Sequence, residues 1–302
     1  MIMYRRYMVP MILAALGGCM SDQSSLDCSV GRVAQVPLQP MGQSFLVTVS
    51  VAGHDLQMML DTGATVTMLT DTAVQKWHIP QSGRTFSIGI GISGGSARSN
   101  ADVTSLTIGG ITIPVDHLSV TSWNGNLDGI LGLDFLGKYD LDIDGPNRTL
   151  GLYHANCLAG PPWASATFVA GTSKAHLLQV QWLQMPIEIN GVTSMAVVDT
   201  GSSFTTIRAP MMRELGLTEQ ALADDRAVTV HVIAGADAKV YLHKFHTIRI
   251  GPVTAQDLGI MVNPTDPPVL SGGYQMPDNF VGQDLLRHRR IWFSLSTGHL
   301  YL

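Results

Sequence analysis

The sequence predicts an all-β protein of two related lobes with a cleft between them, and three observations carry the prediction. Composition is the first: 31 glycines and 15 prolines in 302 residues, with 45% hydrophobic and only 14% charged, favour many short strands and turns over long amphipathic helices. A chain of that length and hydrophobicity buries one large core or two medium ones. The second is a recurrence. "MMLDTGATVTML" at 58–69 returns 138 residues later as "AVVDTGSSFTTI" at 196–207. The third is that the same order of parts surrounds both copies, which marks an internal duplication.

The chain opens on an address. "MIMYRRYMVPMILAALGGCM" places Arg5 and Arg6 before an apolar run and small residues before Cys19, the layout of a secretory signal over residues 1–18. The segment "LGGC" resembles the bacterial lipobox, which implies acylation of Cys19, a tether over residues 19–30 and a chain held in the bacterial cell envelope, facing the periplasm. The absence of Asp directly after Cys19 leans toward the outer membrane, and an ordinary signal peptide would show a similar small-residue cleavage site. Cys28 and Cys157 can pair in an oxidising compartment or stand as separate thiols.

The first lobe is expected over 31–158 and the second over 159–302, with the boundary in "HANCLAGPPWAS", where paired prolines and small residues interrupt the pattern. "SFLVTVSVAGHDLQMMLDTG" reads as two strands around a tight turn near Gly53 that end on Asp61, and "LQMPIEINGVTSMAVVDTG" as two strands around the Asn190-Gly191 hairpin signal that end on Asp199. A short helix candidate follows each: "TDTAVQKWHI", and "APMMRELGL" with Pro210 near its start. Further on, each half has an apolar pair closed by glycine, Ile130-Leu131-Gly132 and Phe280-Val281-Gly282. Gly132 lies 71 residues after Asp61 and Gly282 lies 83 after Asp199, so a 12-residue insertion belongs in a surface loop of the second half. Asp134 and Asp284 follow these glycines and are expected to cap short helices.

With two DTG triplets in matching context, each followed by an apolar-apolar-Gly element, the chain resembles the aspartic proteases over nearly its whole mature length. "GILGLDFL" and "NFVGQDLL" are closer to the compact retroviral type, which implies retropepsin-like β-barrel lobes fused in one chain and acting as a monomer. Two departures stand out: Leu133 and Gln283 replace the basic residue usual after the glycine, and no flap tyrosine of the pepsin kind is evident. The resemblance implies that Asp61 and Asp199 are the catalytic pair and that Thr62 and Thr200 hydrogen-bond across to the opposite loop. Gly63 and Gly201 let backbone approach closely. Ala64 and Ser202 complete the supporting loops, and a Ser202 hydroxyl donating to Asp199 would make Asp199 the ionised base and leave the shared proton on Asp61.

The chemistry gives its own reason for two aspartates. Hydrolysis without a metal or a covalent nucleophile needs one group to take a proton from water and another to give one to the carbonyl oxygen, and two crowded carboxyls sharing one proton do both. No cofactor is expected. "SIGIGISGG" at 87–95 matches the letters of a dinucleotide fingerprint but lacks a following helix, so Gly89, Ile90, Gly91, Ile92, Gly94 and Gly95 read as a flap hairpin whose backbone pairs with an extended substrate. A second hairpin turning near Ala234 and Gly235 is its counterpart. His243 and His246 share no third ligand at usable spacing and read as polar residues on a surface strand, and "RHRR" at 287–290 reads as a solvated helix end. A net charge of −5 with scattered basic residues excludes a nucleic-acid partner. The expected activity is that of an exported endopeptidase acting on extended peptides or unfolded protein; the alternative is a weakly active or inactive peptide-binding envelope lipoprotein of the same fold.

Overall fold

The computed structural model describes residues 31–91, 94–123, 126–154, 161, 163, 167–169, 171–175, 180–230, 237–267 and 277–302. The strands of the first half are β1 (Arg32–Pro37), β2 (Gln39–Met41), β3 (Ser44–Val51), β4 (His54–Leu60), β5 (Met68–Thr70), β6 (Gln81–Gly91), β7 (Gly94–Ala101), β8 (Ser105–Ile108), β9 (Ile111–Pro114), β10 (Leu118–Thr121), β11 (Gly129–Leu131), β12 (Tyr139–Asp144) and β13 (Thr149–His154). Two short helices interrupt them, α1 (Asp71–Lys76) and α2 (Leu133–Leu136). The second half contributes β14 (Thr167–Val169), β15 (Gly171–Ala175), β16 (Val180–Ile189), β17 (Val192–Val198), β18 (Thr206–Arg208), β19 (Arg226–Val230), β20 (Ala238–Ile250), β21 (Val253–Asn263), β22 (Asn279–Val281), β23 (Arg290–Ser294) and β24 (His299–Tyr301). Its helices are α3 (Ala209–Glu214), with Pro210 in the first turn, and α4 (Gln283–Leu286). The molecule is mostly strand, in two curled sheet lobes, as the sequence predicts.

Both leading hairpins turn in the same way. Ala52 and Gly53 have φ of 50° and 82°, Asn190 and Gly191 have 46° and 86°, and paired positive φ at the two central residues is the turn whose twist matches flanking strands. Each hairpin then delivers an apolar strand, β4 or β17, whose last three residues are buried. In the first lobe β11 runs parallel to β4 and antiparallel to β5; in the second, β22 runs parallel to β17 and antiparallel to β18. A strand threaded between the two strands that flank each triplet forces the intervening loop to arch over its end.

A third, six-stranded sheet, in the order β1-β13-β12-β23-β24-β14, joins the lobes with three strands from each half. At its centre β12 pairs with β23 in the register Leu141↔Phe293, Asp142↔Trp292 and Ile143↔Ile291. Trp292 lies 150 residues after Asp142, the same offset that relates Gly132 to Gly282, so the axis relating the lobes passes through this pair. One face of the sheet joins the continuous core through Leu141, Ile143, Leu150, Ile291, Phe293 and Leu300. On the other face Arg290 holds Asp142 with two bonds, Nε to Oδ1 at 2.8 Å and Nη2 to Oδ2 at 2.6 Å, and Trp163 stacks 4.5 Å over the guanidinium.

Candidate active site

Each triplet loop is tied down by the element that follows the apolar pair. In the first lobe Asp61 N–H donates to the Leu131 carbonyl, Leu133 N–H to the Ala64 carbonyl and Gly132 N–H to Thr67 Oγ1. In the second, Asp199 N–H donates to Val281, Gln283 N–H to Ser202 and Gly282 N–H to Thr205 Oγ1. Asp134 and Asp284 do more than cap. The helices start at Gly132 and Gly282, which offer no side-chain cap, and the aspartates instead accept the N–H and hydroxyl of Thr67 and of Thr205 across the loop. Gln283 Nε2 adds a buried 2.8 Å bond to the Thr200 carbonyl, while its counterpart Leu133 packs in the core.

Across the lobes the two loops exchange bonds symmetrically. Thr62 N–H donates to Thr200 Oγ1 at 3.0 Å and Thr200 N–H to Thr62 Oγ1 at 3.1 Å, while each hydroxyl donates to the strand end opposite, Thr62 to the Val198 carbonyl and Thr200 to the Leu60 carbonyl. Both threonines are buried, so these are bonds shielded from water. The exchange brings Asp61 and Asp199, each less than 9% exposed, within hydrogen-bonding reach of one another. Each carboxyl lies against the other loop's glycine: a Cβ on Gly63 would stand 2.4 Å from Asp199 Cγ, and one on Gly201 would stand 2.3 Å from Asp61 Cγ. Asp61 Oδ1 accepts Gly63 N–H at 2.8 Å and Ala64 N–H at 2.9 Å; Asp199 Oδ1 accepts Gly201 N–H and Ser202 N–H, both at 2.9 Å.

Comparison with protein families agrees with this geometry lobe by lobe. Residues 47–138 match the family model described as "gag-polyprotein putative aspartyl protease", and residues 185–285 match the model described as "Aspartyl protease". The chain belongs to the aspartic proteases, as two retropepsin-like lobes in tandem. No curated protein matches it.

Electrostatically both of the protease's carboxyls are held above their ordinary range. Burial pushes Asp61 above its ordinary value, against the pull of the Ala64 and Gly63 N–H bonds. Burial pushes Asp199 well above it, and the Asp61 charge adds to the rise. Both shifts favour one proton shared by the pair over two ionised carboxyls. The reason drawn from Ser202 for placing the charge on Asp199 does not hold, because that hydroxyl donates to the Phe204 carbonyl at 2.8 Å.

Sequence reasoning missed two residues that touch the loops from across the cleft. Trp182 Nε1 of the second lobe donates to the Gly63 carbonyl at 2.8 Å, and Ser44 Oγ of the first donates to the Gly201 carbonyl at 3.4 Å. Each stands 17 residues before its own lobe's aspartate, which was the available signal. Gly89, Ile90, Gly91, Gly94 and Gly95 lie on the hairpin of β6 and β7, in the register Ile90↔Gly95 and Gly91↔Gly94. Ile92, Ala234, Gly235, Cys19, Cys28 and Cys157 fall outside the described residues. His243 and His246 lie on β20, where His243 Nδ1 is 2.6 Å from Asp225 Oδ2 and His246 is 3.6 Å from Asp257. The 287–290 run is not simply solvated: Arg287 bonds the Gly42 carbonyl and the Gln43 side chain of the first lobe, and Arg290 bonds Asp142.

Proposed function

We propose that the protein is an endopeptidase that hydrolyses extended peptides with water activated between Asp61 and Asp199. The observation that carries this reading is the pair itself: two buried carboxyls, one from each lobe, within hydrogen-bonding reach and each fixed by two backbone N–H groups. Ionised Asp61 takes a proton from water as its oxygen attacks the peptide carbonyl carbon, and protonated Asp199 gives its proton to the carbonyl oxygen. The tetrahedral intermediate collapses when the nitrogen receives a proton from Asp61 and leaves as the amine, the C–N bond breaks, and Asp199 recovers its proton from a hydroxyl of the intermediate as the carbonyl re-forms. No bond forms between enzyme and substrate.

An extended chain would present its backbone to the hairpin of β6 and β7, and backbone pairing with alternate side-chain pockets is how extended peptides are held. Export and anchoring through Cys19 belong to the same proposal, on the strength of the basic, apolar and small-residue order of 1–19. The test is mass-spectrometric mapping of cuts in a denatured proteome by the wild type and by Asp61→Asn. Loss of cleavage by roughly 10³-fold or more in the variant is expected. The same cuts at undiminished rate in Asp61→Asn would overturn the reading.

A further inference from the structure

The two bonds that cross the cleft to the glycine carbonyls have a chemical consequence, because each carbonyl belongs to a peptide unit whose other end serves a carboxyl. The Gly63 carbonyl accepts Trp182 Nε1–H at 2.8 Å, and the N–H of that same peptide, on Ala64, donates to Asp61 Oδ1 at 2.9 Å. In the second lobe the Gly201 carbonyl accepts Ser44 Oγ at 3.4 Å, and the same peptide's N–H, on Ser202, donates to Asp199 Oδ1 at 2.9 Å. A donor on a carbonyl draws electron density through the amide and makes its N–H a better donor, by about 10–30% per bond in condensed phase. A part-buried bond at 2.8 Å does this well; one at 3.4 Å is at the limit of a hydrogen bond.

We propose that Trp182 is a positioning residue that acts from the second lobe through the Gly63–Ala64 peptide, selecting Asp61 as the carboxylate that carries the charge of the pair. Trp182 is 5% exposed on β16, so its indole is held by packing and the bond does not depend on a mobile side chain. The position equivalent to it in the first lobe, Ser44, has too small a side chain to make the same contact at short range, and so the near-symmetric loops acquire a fixed polarity. Among the described residues no other charged group competes: the influences on Asp61 are its burial, the Gly63 and Ala64 N–H groups and Asp199, and those on Asp199 are its burial, the Gly201 and Ser202 N–H groups and Asp61.

The inference rests on the aspartic-pair reading but can be tested without turnover. Protein labelled with ¹³C at the aspartate carboxyls is titrated by NMR, with the Asp61 and Asp199 signals assigned through the Asp→Asn variants. In Trp182→Phe, which keeps a ring and removes the N–H, the lower titration step should rise by about half a pH unit, and Ser44→Ala should move it by clearly less. Where the full-length wild type cleaves peptide, the acid limb of its kcat/KM profile should rise by the same amount. If Trp182→Phe does not fold, benzothienylalanine at 182 replaces the N–H by sulphur in the same bicyclic outline. A lower step unmoved by loss of the N–H, or moved equally by Ser44→Ala, overturns the proposal. Cleavage undiminished in Asp61→Asn would instead overturn the proteolytic reading and leave the titration result standing.

Discussion

Asp199 is 7% exposed and faces a second carboxyl, so its ionisation works against the folded state. A carboxyl whose folded value lies above its unfolded value favours folding most at pH below the unfolded value, and that advantage is lost as pH rises through the folded value. Asp199→Asn removes the term. The variant should therefore be more stable than the wild type at pH 7, by on the order of 2 kcal/mol, with the gap closing as the pH falls below about 4. Thermal unfolding of both proteins across pH 3–8 measures it, and a constant gap would show that the carboxyls are not crowded. At this scale the sequence was largely legible. Both aspartates, both threonines and both glycines announce themselves because one loop is written twice. The bond expected from Ser202 to Asp199 was not, since it turned on the direction of one rotatable hydroxyl, and Ser202 Oγ points to Phe204.

The elements around the loops form clamps whose members are far apart in sequence. Thr205 is fully buried; its hydroxyl gives a 2.7 Å bond to Asp284 and accepts Gly282 N–H, joining residues 79 and 77 positions apart. Thr205→Val keeps the shape and strips the hydroxyl, leaving Gly282 N–H without its acceptor, and should cost about 1–3 kcal/mol in urea unfolding. Peptidase activity should fall with it, because the same clamp fixes the far end of the Asp199 loop. Asp134 and Asp284 look like helix caps in sequence, since an aspartate near the start of a helical stretch normally is one. Helices of four residues leave little to cap, and the threonines that claim the carboxylates sit 67 and 79 positions away. Trp182 and Ser44 were hidden for a related reason. Their spacing repeats but their chemistry does not, so no likeness of letters connects them.

At the scale of the whole molecule, the central sheet is where the lobes become one body. Asp142 has 8% of its side chain exposed and depends on Arg290, which is 40% exposed and reaches it from the other lobe. Removing the cation strands a buried carboxylate. Arg290→Gln should destabilise by about 2 kcal/mol, with part of the loss recovered in the Asp142→Asn/Arg290→Gln double variant, as measured by denaturant unfolding and a double-mutant cycle. The duplication and the strand-rich lobes could be foreseen from repeated patterns, whereas the pairing of β12 with β23 could not, because strand partners chosen across two lobes leave no local trace in either.

The exchange between Thr62 and Thr200 has a further consequence for how such a chain can vary. Every bond in it is given and returned in kind, so it would hold two copies of a single sequence as well as two different ones. Once both copies occupy one polypeptide, nothing obliges them to stay the same: leucine can stand where its twin is glutamine, and serine where its twin is tryptophan. An assembly of equals can only share its proton by chance of the moment, whereas a joined pair can inherit a standing division of labour.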